Sequence, residues 1–134
     1  MVGTPPGKLV GVILAGGASR RMGEDKALVE VAGRPMLAWV ATALEASTDR
    51  ILVAGPERAG WSDLTFVNDA GAPHRGPLAG VAAAMPHVDQ GDLVVVVGVD
   101  QPWVRTETLR SIVAKFVERP VVPVPDGVRQ TTCA

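Results

Sequence analysis

Residues 9–26 read LVGVILAGGASRRMGEDK, and this stretch decides the fold. Its opening run, Leu9 to Leu14, is apolar and β-branched with no polar alternation, the pattern of a strand covered on both faces. Gly16 and Gly17 stop it. Small residues placed directly after a buried strand let backbone N–H groups come close to an anion, and Gly16, Gly17 and Gly23 can take up conformations that aim successive N–H groups at it. Arg20, Arg21 and Lys26 add positive charge, arginine gripping two oxygens at once and lysine acting as a point charge. A glycine turn with solvated charges on its rim is the competing reading. Three basic residues within ten positions favour the phosphate cradle.

The rest of the chain alternates around this unit. Pro35 suits the first turn of a helix whose apolar positions Met36, Leu37, Val40, Ala41 and Leu44 recur at helical spacing. Arg50 to Gly55 reads as a second strand and Leu64 to Val67 as a short third. Pro77 opens a second helix running to about Met85. Asp92 to Val97 is the strongest strand signal, and its continuous apolar character points to the centre of a parallel sheet. Thr106 is the expected N-cap of a third helix carrying Leu109, Ile112, Val113, Phe116 and Val117. Val121-Val122 starts another strand, which Pro123 and Pro125 confine to an edge or bend. The expectation is an α/β domain: a doubly wound, Rossmann-like, mostly parallel sheet in a three-layer α/β/α sandwich. Ligands in such folds sit beyond the carboxyl ends of the strands, near a switch in strand order. The loops after Leu14, Val67 and Val99 therefore matter most. Met1 to Gly7 reads as a flexible tail, and with no helix after the last strand the fold looks unfinished at Ala134.

Composition narrows the function classes. A chain of 134 residues buries about two-thirds of its unfolded surface, enough for one core and not two. With 47% apolar and 20% charged residues it is a folded domain, and its net charge of −1 offers no field for nucleic acid or an anionic membrane. The charge is unevenly spread: residues 1–35 carry a net of +2 and the remainder −3, which suits a small anionic ligand near the first loop. The single Cys133 gives no internal disulfide, no apolar run approaches a membrane span, and a cytoplasmic location is the default. His74, His87 and Cys133 lack metal-ligand spacing. Trp39, Trp61 and Trp103 are expected to pack rather than stack on a base.

The loop is neither a P-loop nor a dinucleotide fingerprint, since Glu24 follows Gly23 and G-x-G-x-x-G is absent, and no glycine completes a nucleophile elbow around Ser19. The pattern Leu14-Ala15-Gly16-Gly17-x-Ser19-x-Arg21-Met22-Gly23-x-Asp25-Lys26 instead resembles the opening signature of the MobA-like nucleotidyltransferase family, particularly its molybdenum cofactor guanylyltransferases. Gly33-Arg34-Pro35-Met36-Leu37, Arg75-Gly76-Pro77-Leu78-Ala79-Gly80 and Asp100-Gln101-Pro102 match further blocks in order, so the resemblance covers roughly residues 9–105.

The resemblance implies that residues 8–134 form a nucleotidyltransferase domain lacking the family's C-terminal part. It implies that Leu14, Ala15, Gly16 and Gly17 meet the nucleotide, that Lys26 binds its phosphates with Arg21 beside it, that Asp69 is an acidic nucleotide contact, and that Asp100 holds Mg²⁺. The competing reading of Asp100 is a turn or cap residue before Pro102, and of Asp69 an Asn68-Asp69 turn. The implied reaction transfers GMP from GTP to molybdopterin with release of pyrophosphate, without a protein nucleophile. An oligomeric state, or a molybdoenzyme or chaperone partner, stays open. Gly16-Gly17 resembles guanylyltransferases, whereas the cytidylyl relatives commonly have Ala-Gly. This chain departs from the pattern at Ala54, where guanylyltransferases can carry an asparagine, and at Arg129-Gln130-Thr131-Thr132, which replaces a later His-Pro block. The alternatives are a cytidylyltransferase of the same family and a non-catalytic, truncated nucleotide-binding protein.

Overall fold

The computed structural model describes residues 7–16, 25–67 and 77–118, with the side chains of 77, 78 and 116–118 left aside. The expected strand at Val121-Val122, and His74 and Cys133, lie outside these residues.

β1 spans Leu9–Leu14, as its apolar run predicts, and residues 10–13 within it are buried. A two-residue hairpin follows, β2 (Glu30–Val31) and β3 (Arg34–Pro35), then α1 (Met36–Glu45), β4 (Arg50–Ala54), β5 (Thr65–Val67), α2 (Pro77–Ala84), β6 (Leu93–Gly98) and α3 (Thr106–Glu118). The hairpin is absent from the sequence reading, which took Pro35 as a helix start. Its signal was local: Ala32 and Gly33 both have positive φ, 51° and 81°, the backbone of a tight turn matched to strand twist. Pro35 pairs with Glu30 and also precedes α1, so one residue serves both elements. Trp39 Nε1–H donates to Val31 O at 2.7 Å, and the Arg34 guanidinium lies 4.6 Å from the Trp39 ring centre, which ties the hairpin to α1.

The main sheet has the order β5-β4-β1-β6 with every pair parallel. Alternation along the strands divides the core. Ile13, Val53 and Val97 face α1 and α3 with Leu37, Val40, Leu44 and Leu109. Val10, Val12, Leu52 and Ala54 face the other way, with Ala83 and Ala84 of α2 among their neighbours. The result is the expected three-layer α/β/α arrangement. Two side chains tie down the amino end of the sheet: Asp49 accepts from Leu9 N–H at 2.7 Å and Asp92 from Lys8 N–H at 2.9 Å. The Lys8 bond leads in holding the Asp92 carboxyl below the usual carboxylate range.

Among the described residues the Asp92–Val97 run forms the outermost strand, beside β1, and the strand expected at Val121-Val122 lies outside those residues. Continuous apolarity reports cover on a strand's faces, not its lateral place. Even that cover is partial: α2 lies over β1 and β4, and Val96 is 37% exposed. Thr106 is the first residue of α3 rather than its cap, and its hydroxyl donates to Ala43 O of α1 at 3.1 Å. A tertiary acceptor took the group that local sequence assigned to capping.

Candidate functional site

The chain runs outward from β1 to β4 and β5, then crosses to β6 on the other side of β1. The strand order therefore reverses at the carboxyl ends of β1 and β6, where open α/β sheets bind ligands. Register aligns those ends: Leu14 pairs with Ala54 and Gly98, Val99 N–H donates to Leu14 O at 3.0 Å, and Ala15 N–H donates to Ala54 O at 2.9 Å. A polar hollow lined by Glu45, Thr48, Asp49, Arg50 and Asp63 lies where β4 and β5 begin, at the far end of the sheet.

Leu14 is half-buried, Ala15 fully buried and Gly16 half-buried at this edge. The glycines here do different things. A Cβ on Gly55 would lie 2.4 Å from Ala15 O and 2.8 Å from its carbonyl carbon, so the backbone at Ala15-Gly16 passes only because residue 55 has no side chain. A Cβ on Gly16 would meet only Ala54 O, at an ordinary 3.6 Å, so the described neighbours do not demand a glycine there. The sequence pattern marks Gly55 only as the last residue of the second strand.

Asp25 and Lys26 return the chain to this edge. Asp25 Oδ1 accepts from Ala27 N–H at 3.2 Å and caps a short 3-10 turn over Lys26–Leu28, which the buried Ala27 anchors while Lys26 stays exposed. Arg58, which the sequence did not single out, joins the two ends of the segment. Its Nε–H donates to Asp25 Oδ2 at 2.7 Å, and its Nη2 donates to Asp25 Oδ1 at 3.0 Å and to Ala15 O at 2.9 Å. Nη1 donates to Pro56 O at 3.1 Å. Arg58 is the one buried polar or charged residue among those described. A lone arginine after Pro56-Glu57 carries no periodicity or motif, so nothing local marks it.

Asp100 is exposed two residues beyond β6. A Cβ on Gly98 would come within 2.7 Å of its Oδ1, so the carboxylate lies back over the strand end that pairs with Leu14. Leu14, Ala15, Gly16 and Asp100 are thus brought to the carboxyl ends of β1 and β6, and the turn that bears Lys26 is tied there through Asp25 and Arg58. Gly17, Arg21 and Asp69 lie outside the described residues, as do Arg20, Gly23 and Gly76. The tryptophans divide: Trp61 packs against the α1-side core and Trp39 against the hairpin, but Trp103 is 75% exposed, so the expectation that it packs fails among the described residues. It sits on the tight loop after β6, where Val104 N–H closes back on Gln101 O and leaves the indole outside. Those residues hold no cluster of three His, Cys, Asp or Glu able to bind a metal by themselves. A single carboxylate at a phosphate site still fits Mg²⁺, which takes one or two protein carboxylates and completes its shell with phosphate oxygens and water.

An open, doubly wound α/β domain with its polar groups gathered at the crossover of strand order is the class that fold and site define. Comparison with known proteins narrows it. The model of the MobA-like NTP transferase domain matches residues 11–134, and the chain belongs to that family. Molybdenum cofactor guanylyltransferase of Xanthomonas euvesicatoria pv. vesicatoria is 38% identical over 112 residues, 81% of this chain and 56% of that protein. The chain thus spans about half the length of the curated relatives it matches. Among solved structures, Rv0371c of Mycobacterium tuberculosis H37Rv superposes with a TM-score of 0.68 at 23% identity, covering 92% of this chain and 68% of that one; it has also been solved with manganese. CMP:2-keto-3-deoxy-manno-octonic acid synthetase complexed with CTP gives a TM-score of 0.69 at 21% identity, over 87% of this chain and 50% of that one. At these identities the structural likeness speaks for the fold.

Proposed function

We propose that this chain carries the nucleotide side of a Mg²⁺-dependent guanylyl transfer from GTP to molybdopterin. What supports the reading is that Ala15-Gly16 and Asp100 follow the paired strand ends of β1 and β6, and that the turn bearing Lys26 is tied to Ala15 through Asp25 and Arg58, in a chain that belongs to a nucleotidyltransferase family. The name of the curated guanylyltransferase relative supports GTP and molybdopterin as substrates. In this reading the terminal phosphate of molybdopterin attacks the α-phosphorus of GTP. A new phosphoanhydride forms, the bond between the α- and β-phosphates breaks, and pyrophosphate leaves.

The protein contributes positioning and charge rather than a covalent intermediate. Gly16, with no packing reason among its described neighbours to be glycine, keeps the strand end open to close approach by a phosphate, and Gly17 follows it in the sequence as a second residue without a side chain. Lys26 and Arg21 offset the charge that grows on the departing pyrophosphate, and Asp69 contacts the nucleoside. Asp100 would hold the Mg²⁺, which when bound supplies Lewis-acid polarisation of the phosphates. Molybdenum cofactor biosynthesis is the setting, with no part for nucleic acid or a membrane.

The test is a titration of the chain with GTP and with CTP, with and without Mg²⁺, beside an assay of pyrophosphate release. GTP should bind more tightly, and Asp100→Ala should remove the Mg²⁺-dependent part of both binding and turnover. Tighter binding of CTP would overturn the choice of base, and an undiminished Asp100→Ala variant would overturn the site.

A further inference from the structure

We propose that Arg58 is a positioning residue of the nucleotide site, a strap that fixes Lys26 relative to the end of β1. Resting on the functional reading above, the proposal adds to it a residue outside the family signature. The Arg58 side chain is 3% exposed and that of its partner Asp25 16% exposed. Removing such charges from water is costly, and a buried pair commonly contributes no net stability over apolar side chains of similar size. A pair of this kind is better explained by the geometry it imposes. Arginine's planar fork suits the task, because its donors diverge at set angles and can hold several acceptors at once.

Here the acceptors come from three separate parts of the chain. Ala15 O closes β1, both Asp25 oxygens precede Lys26, and Pro56 O follows β4. One nitrogen, Nη2, bonds Ala15 O and Asp25 Oδ1 together, so the residue ahead of Lys26 is fixed against the residue ahead of Gly16. Asp25 passes that constraint on. It accepts from Ala27 N–H through its side chain and from Leu28 N–H through its carbonyl, and Val29 N–H closes on Lys26 O. An exposed lysine is otherwise free among many rotamers, and fixing its backbone removes part of the ordering cost of gripping a phosphate. The Arg58 carbon lies 6.0 Å from the centre of the Phe66 ring, so β5 supports the strap from the side.

The experiment uses Arg58→Lys, which keeps the charge and loses the fork, and Asp25→Asn, which keeps the shape and the Ala27 acceptor. Two readouts apply to the full chain. The first needs no nucleotide: the amides of Ala27, Leu28 and Val29 should exchange with deuterium about tenfold faster in either variant, while those of β1 and β4 keep their protection. The second is GTP·Mg²⁺ affinity in a double-mutant cycle with Lys26→Ala. If Arg58 acts through Lys26, removing the lysine should cost several-fold less in the Arg58→Lys background than in the parent. Additive losses, or faster exchange spread evenly over the sheet, would make Arg58 a general stabiliser and overturn the proposal. If Arg58→Lys does not fold, Asp25→Asn decides on the same criteria. A parent chain that bound no GTP would overturn the functional reading alone, because the exchange result is obtained without nucleotide.

Discussion

At the scale of single residues, the glycines near the site differ in how far packing demands them. Gly55 has to be glycine, because a side chain there would strike the carbonyl of Ala15. Gly98 is subtler: the atom that a Cβ would meet, at 2.7 Å, is the far end of the Asp100 side chain, which can swing away. Gly98→Ala should therefore leave folding nearly intact and displace the carboxylate. Since misplacing a catalytic group by about 1 Å can cost roughly a hundredfold, the variant should need at least about tenfold more Mg²⁺ for half-maximal turnover, with little change in melting temperature. A magnesium titration on both proteins measures this. The candidate residues themselves were legible from the first loop and from Asp100-Gln101-Pro102. Arg58 was not, because its meaning comes from partners 33 and 43 positions away.

At the scale of elements, periodicity was a reliable guide, and the contacts between elements were not legible. α1 buries Leu37, Val40, Ala41 and Leu44 as its spacing predicts. It also sits close to the sheet, since a Cβ on Gly11 would fall 3.1 Å from a Leu44 methyl. Leu44→Ala should open a cavity between α1 and β1 and destabilise the chain by about 2–5 kcal/mol, a loss read from urea denaturation with an unchanged slope. The Ala32-Gly33 hairpin had a local turn signal that the helix pattern after Pro35 hid. The bond from Thr106 to Ala43 and the pairing of β6 with β1 turn on which neighbour an element meets in space, and no one-dimensional pattern encodes that.

For the whole molecule, binding and folding are linked. A ligand that binds only the folded state stabilises it by about 2.7 kcal/mol at a hundred times its dissociation constant. GTP with Mg²⁺ should raise the melting temperature of this chain, chelation should reverse most of the gain, and CTP should raise it less. Differential scanning fluorimetry gives all three outcomes, and equal shifts with and without Mg²⁺ would contradict the role given to Asp100.

The amino-acid sequence by itself determined the alternation of strands and helices, the residues that turn inward, and the loop and carboxylate that mark the family. These follow from apolar spacing and from glycine and charge at fixed offsets, which are local properties of a chain. Only the tertiary structure decided that β1 and β6 lie side by side at the reversal of strand order, that Gly55 makes room for Ala15, and that a buried arginine ties Asp25 to the end of the first strand. Those depend on segments far apart in the chain sharing one small volume, where sterics and the cost of an unpaired buried charge select the partners.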